Sequence, residues 1–210
     1  MHSWRTRLDI FSLEKQGKLH LQSKRHSEAE KIFSQLLDCG DIFWVYLSKS
    51  LLGQKKYKEA RECVEKVLLR ACLQTEWGLD AFKTMGFCCH YMGDIDSAFE
   101  NFNKALSLNN KIFDAEIQLG LGLILKEQKE YSSAKEKFQN VLEKDMNNDE
   151  AWAGLAEVRA ELGDLELAHV NLQQALDLNP ENESALRLKV RWSSSFQWIS
   201  GSKPLFSFRI

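Results

Sequence analysis

Residues 151–180 read Ala151-Trp152-Ala153-Gly154-Leu155-Ala156-Glu157-Val158-Arg159-Ala160-Glu161-Leu162, then Gly163-Asp164, then a second stretch from Leu165 to Leu178, closed by Asn179-Pro180. Trp152, Leu155, Ala156, Arg159 and Leu162 fall at i, i+3, i+4, i+7 and i+10, which is one side of an α-helix. Gly163 tolerates the left-handed conformation that ends a helix. Leu165, Ala168, Leu172, Ala175 and Leu176 share a side of the next helix, and Pro180 cannot continue it. A two-residue turn between two amphipathic helices predicts an antiparallel pair. The small Ala168 lets the two backbones approach closely.

This pair recurs. The stretch before it carries Gly122, Tyr131, Ala134, Phe138 and Val141, and the steps from Leu121 to Leu155 and from Ala134 to Ala168 are both 34 residues. A fixed period of that size marks a stacked helical repeat. Aligning the small residue of each second helix gives Ala29, Ala60, Ala98, Ala134 and Ala168, with steps of 31, 38, 36 and 34 residues. The large residue four places on is Phe33, Val64, Phe102, Phe138 or Leu172, and the residue seven places on is Leu36, Val67, Ala105, Val141 or Ala175. The small first-helix residue is Gly17, Ser48, Gly86, Gly122 or Ala156. The long steps predict longer loops or helix ends, and the step of 31 predicts a tight first junction.

Bulk composition narrows the function. The 210 residues carry a formal charge of −2, and the pI is about 6.2, so no global field favours nucleic acid or an anionic membrane. The five cysteines (Cys39, Cys63, Cys72, Cys88 and Cys89) are odd in number and include no C-x-x-C pair, which points to a reducing compartment. The N-terminal stretch is too broken by charge for a signal-peptide core, and no apolar run is long enough to span a bilayer. The expected location is cytoplasmic. Met1 and a non-repeating end favour a self-contained chain.

No phosphate loop, nucleophile elbow or metal-spaced cluster is present, so no catalytic residue, metal or cofactor is expected. Cys88-Cys89-His90 is the single local group of soft ligands. Successive helical residues point about 100° apart and cannot converge on one ion. Cys89 is expected in the core and His90 on the surface. His20, His26 and His169 read as packing or surface residues.

The pattern resembles the tetratricopeptide repeat family over roughly residues 10 to 182. The resemblance implies an all-α fold: a right-handed superhelical solenoid of about five helix-turn-helix repeats with a C-terminal capping helix. The expected division is a repeat array over 1–182, with repeats near 10–40, 41–78, 79–114, 115–148 and 149–182. A capping helix from Glu183 to about Arg191 and an aromatic tail complete 183–210.

In that family the first helix of each repeat lines a concave groove through positions 2, 5, 6 and 9. Carried over, the groove comprises Ile42, Val45, Tyr46 and Lys49 from the second repeat, Lys83 and Phe87 from the third, Leu119 and Leu123 from the fourth, and Glu157 from the fifth. Gly120 and Gly154 are expected to leave room for a ligand near the backbone. Some members grip a C-terminal carboxylate with Lys and Asn at positions 5 and 9. Here the first-repeat pair is Glu14 and Lys18, so that clamp is absent. Lys15, Lys18, Lys49 and Lys83 toward one end, against Glu116, Glu150, Glu157 and Glu161 toward the other, suggest a charge gradient that would orient a partner. About half of the apolar groove positions are expected to pack between repeats instead.

The implied role is a non-catalytic adaptor or scaffold that holds a helical or extended protein segment. The alternative is a chaperone for a secreted or assembling subunit. The tail carries Trp192, Phe196, Trp198, Phe206 and Phe208, too many aromatics to leave in water without consequence. It is expected to fold back over the last repeat or into the protein's own groove, or else to dock a partner or a second copy. A membrane contact ranks lowest, because few basic residues accompany the aromatics.

Overall fold

Five turns fix the helix pairs, and each places one residue in the left-handed region. These are Lys24 (φ 55°), Lys55 (62°), Gly93 (84°), Lys129 (63°) and Gly163 (89°). Each stands five residues before the small alanine of its second helix. The same two hydrogen bonds close every turn. In the last, Gly163 N–H donates to Ala160 C=O at 3.1 Å and Asp164 N–H to Arg159 C=O at 2.9 Å. In the first, Lys24 N–H donates to Leu21 C=O at 3.0 Å and Arg25 N–H to His20 C=O at 2.9 Å. This is the Schellman arrangement, which satisfies carbonyls that the helix end leaves unpaired.

The structure is a computed structural model that describes residues 7–70, 76–109 and 113–199, without the side chains of residues 70, 76 and 194–199. Its helices are α1 (Arg7–Gln22), α2 (His26–Phe33), α3 (Ile42–Gly53), α4 (Tyr57–Arg70), α5 (Glu76–Tyr91), α6 (Ile95–Leu108), α7 (Ala115–Glu127), α8 (Tyr131–Lys144), α9 (Asp149–Glu161), α10 (Leu165–Leu178) and α11 (Glu183–Ile199). A short 3-10 turn, Leu37–Cys39, follows α2. No strand occurs among the described residues, and the fold is all-α. Two compact units divide the chain, Met1–Gly120 and Leu121–Ile210, with the division inside α7.

The tight first junction has a local explanation. Helix α2 holds 8 residues, whereas α4, α6, α8 and α10 hold 14 each. Leu36 lies beyond the end of α2 yet is fully buried, so the 3-10 turn takes over the packing of the missing helical turn. Of the long steps, the 38-residue one is partly absorbed by α5, which runs for 16 residues. The expected end of α11 near Arg191 is corrected to Ile199. Nothing between Arg191 and Gly201 breaks a helix, since neither proline nor glycine occurs there.

Packing within each unit follows one recurring contact. A phenylalanine of the second helix seats on glycines of first helices. A Cβ built on Gly86 would lie 2.8 Å from Phe102, and Gly120 faces the same ring. In the second unit, a Cβ on Gly122 would lie 2.9 Å from Phe138, and one on Gly154 would lie 2.6 Å from it. Gly17 faces Phe33 in the same way. Phe33, Phe102 and Phe138 are fully buried, as are Ala29, Ala60, Ala98, Ala134 and Ala168. Each ring therefore occupies the volume its glycines vacate, at the close-packed density of protein interiors.

Three of the five left-handed turn positions carry lysine, and a side chain there costs about 1–2 kcal/mol relative to the right-handed conformation. Lys129→Gly should therefore raise stability by about 1 kcal/mol, and Gly163→Ala should lower it by about 1 kcal/mol. Urea denaturation midpoints at unchanged slope check both.

Candidate functional site

The first helices carry the candidate surface, and within the first unit they are joined by ion pairs. Lys49 Nζ in α3 lies 2.9 Å from Asp80 Oδ2 in α5. Lys83 Nζ in α5 lies 3.1 Å from Asp80 Oδ1, 3.1 Å from Asp114 Oδ2 before α7, and 2.6 Å from Glu116 Oε2 in α7. In the second unit Lys126 Nζ pairs with Glu157 Oε2 at 2.8 Å, and Arg191 reaches Glu161 at 3.2 Å and Glu157 at 3.7 Å. Lys49 to Asp80, Lys83 to Asp114 and Lys126 to Glu157 are all steps of 31 residues. That signal was in the sequence, as a basic residue with an acid one repeat on.

Lys83 is the centre of this ladder. Its side chain is only 10 % exposed. Burial alone would lower its pKa, but Glu116, Asp80 and Asp114 outweigh that and hold it above the ordinary lysine value. Asp80 shows the converse. Burial would raise its carboxyl, yet Lys49 and Lys83 hold it below the usual range.

These pairs correct the expected charge gradient. Lys49, Lys83, Glu116 and Glu157 join neighbouring helices, so their charges are largely neutralised before any partner arrives. Lys18 pairs with Glu14 at 2.6 Å and sits 4.9 Å from the Tyr46 ring centroid. The open space expected at Gly120 and Gly154 is also corrected. Phe102 and Phe138 fill it, because these glycines serve ring packing.

The remaining groove positions fall into two sets. Val45 is fully buried, and Leu119 and Leu123 are nearly so, which places these three side chains in the fold's interior. Ile42, Tyr46, Lys49, Phe87 and Glu157 are half-buried. Lys83 is buried. Tyr46 packs against Phe33 with ring centroids 5.0 Å apart. Phe87 meets Phe102 edge-on at 5.0 Å and lies 6.5 Å from Tyr91, which stacks on Tyr57 at 5.0 Å. The Tyr57–Tyr91 stack escaped the sequence reading, because these two tyrosines belong to different repeats at non-equivalent positions.

At the C-terminal end, Trp192 is half-buried against a cluster that includes Ala153, Ala156, Leu172, Ala175, Ala185 and Leu188. It therefore packs on the last helix pair. The side chains of Phe196 and Trp198, together with Phe206 and Phe208, lie outside the described residues.

The three buried cysteines carry little reactive character. Cys63, Cys88 and Cys89 are buried free thiols, and Cys39 is exposed. Burial pushes Cys63 up to about 11 and Cys88 up to about 12. A thiol so shifted stays protonated near neutral pH and is a poor nucleophile or metal ligand. Among the described residues no group of three or more His, Cys, Asp or Glu side chains could hold a metal ion. No described helix is long and apolar enough to cross a membrane.

Known families and structures agree with this architecture. Residues 84–112 and 125–191 each match a tetratricopeptide repeat family model. No curated protein sequence matches the chain. Among solved structures, a thermophilic TPR protein of Thermus thermophilus aligns at a TM-score of 0.66 and 18 % identity. That alignment covers 90 % of this chain and 99 % of the other. The MamA protein aligns at 0.52 and 15 % identity over 82 % of this chain and 92 % of its own. At these identities the likeness speaks for the fold.

Removing Lys83 would leave three clustered carboxylates without their shared cation. Lys83→Met should cost about 2–3 kcal/mol, below the usual 3–5 for a fully buried pair because Glu116 is half exposed. The pH dependence has a defined sign. The Asp80 contribution is present above the unfolded carboxylate value and lost as pH falls through its lower folded value. The Lys83 contribution is present below the unfolded lysine value and lost as pH rises through its higher folded value. The deficit of the variant should therefore be largest near neutrality and shrink below about pH 4 as the carboxylates protonate. Thermal melts of both proteins across pH 3–10 check this.

Proposed function

We propose that this chain, which carries tetratricopeptide repeats over residues 84–112 and 125–191, is a non-catalytic adaptor that binds a helical or extended segment of another protein along its first helices. Repeat arrays of this kind present long surfaces to protein partners. The observation that carries the reading is the half-buried set Ile42, Tyr46 and Phe87 in the first unit. These side chains keep apolar area open to solvent at family groove positions, while the helices beneath them are tied by the Lys49 and Lys83 ion pairs. A surface held in place before binding loses less entropy when a partner arrives. With the charges paired among themselves, affinity comes from apolar and aromatic contact rather than from a net field. A cytoplasmic setting belongs to the same proposal, supported by free thiols at four positions.

A pull-down from native cell extract, analysed by mass spectrometry, tests the proposal with the intact chain, Ile42→Ala and Phe87→Ala. Phe87 also packs on Phe102, so its truncation should cost about 2 kcal/mol of stability while leaving the helical circular-dichroism spectrum intact. The expected result is a protein partner retained by the intact chain and weakened at least tenfold by either substitution. A partner held equally by all three folded proteins would remove the first helices from consideration.

A further inference from the structure

The second helix of each pair opens two residues after its left-handed turn. In chain order these opening residues are His26, Tyr57, Ile95, Tyr131 and Leu165. In the first unit two of them seat on the last residue of the next first helix. Tyr57 stacks on Tyr91, at the end of α5, with ring centroids 5.0 Å apart. His26 lies on Gly53, at the end of α3, so closely that a Cβ built on Gly53 would overlap the imidazole. Each seat joins one helix pair to the next. Four copies place there a side chain that stays uncharged near neutral pH, and the first copy places the side chain whose ordinary pKa falls in that range.

The seat on Gly53 suits a neutral ring. His26 is half-buried, and its Nδ1 is buried without a hydrogen-bond partner. A proton added there would create a charge and a buried N–H donor with no acceptor. The surrounding charges do not favour it. Lys24 and Arg25 precede the ring in its own turn, and Lys55 and Lys56 form the turn after α3. Glu30, one turn along α2, is engaged by Gln54 Nε2 at 2.7 Å and Lys56 Nζ at 3.0 Å, and Glu28 is exposed. Gln54 Nε2 also donates to the His26 carbonyl at 3.3 Å. Burial, and then the charge of Lys24, hold the imidazole below the ordinary histidine value. With a folded value below the unfolded one, the stability that His26 contributes is present above the unfolded value and lost as pH falls through the folded one. Helix α2, at 8 residues, is the shortest of the second helices, so its opening residue carries a large share of this junction.

We propose that His26 is a pH-sensitive latch: protonated in mildly acidic water, its ring leaves the seat on Gly53 and the first helix pair, α1 with α2, opens away from α3. Phe33 would then part from Tyr46, whose ring it meets at 5.0 Å. Tyr46 is one of the side chains assigned to partner recognition, so the same opening would deform that surface. The latch does not rest on the adaptor reading, because it is measured on the chain without a partner.

Amide exchange of the full chain at pH 7.5 and pH 5.5, corrected for the intrinsic pH dependence of exchange, tests it. Helices α5 and α6 of the same molecule serve as the internal reference. In the wild type, opening of residues 7–33 should rise at least threefold relative to residues 76–108 on acidification. In His26→Phe, which keeps a ring but cannot be protonated, the ratio should stay constant. No rise in the wild type would overturn the proposal, and so would an equal rise in His26→Phe, which would assign the effect to another group. A second measurement needs no variant: the His26 Cε1 proton resonance of the wild type should titrate with a midpoint below the ordinary histidine value, alongside the exchange. A His26 titration at the ordinary value, or one uncoupled from the exchange, would equally overturn it.

Discussion

The phenylalanine seated on helix glycines is the contact on which the rest of this structure depends. Phe102 lies against Gly86 and Gly120, and Phe138 against Gly122 and Gly154. In each case the first glycine belongs to the same helix pair and the second to the next. One buried ring therefore sets two spacings at once, that within a pair and that between successive pairs. A glycine inside a helix costs about 1 kcal/mol relative to alanine, and burial of a whole aromatic ring offsets more than that. The left-handed turns and the ion-pair ladder act on helices already brought to this separation.

The electrostatics follow from that spacing. When first helices lie side by side, a lysine on one can reach an acid on the next, and Lys49, Lys83 and Lys126 all do so. Charges that look like a free, graded lining along the sequence become cross-links between neighbours in three dimensions. The surface proposed for recognition, Ile42, Tyr46 and Phe87, is half-buried, apolar and aromatic. A partner segment would meet it largely through shape and the hydrophobic effect.

The helix pairs, their turns and most of their core were legible from the recurrence of small residues. Ala29, Ala60, Ala98, Ala134 and Ala168 are all fully buried, as a close helix approach demands. Gly163 announced its turn, whereas Lys24, Lys55 and Lys129 hold equivalent turns that no residue preference foretells. The candidate site was less legible. A position number tells which side of a helix a residue occupies but not what arrives from the neighbouring helix, so Val45 and Gly120 read as groove when they are interior. The short α2 was visible only as a missing length, since its 3-10 turn arises from tertiary demand on Leu36.

The paired sizes at these seats also mean that the repeats are not interchangeable. The residue two places before the small first-helix position is Tyr46, Thr84, Gly120 or Gly154, and the large residue of the preceding second helix is Phe33, Val64, Phe102 or Phe138. Glycine accompanies phenylalanine in the later copies, threonine accompanies valine, and Tyr46 accommodates Phe33 by tilting the two rings 31°. Excising residues 41–78 would bring Phe33 before Thr84, a ring against a branched side chain. Excising 79–114 would bring Val64 before Gly120, a hollow where a ring had been. The order of the first copies is thus written into their junctions, whereas excising 115–148 would bring Phe102 before Gly154 and keep a ring on a glycine.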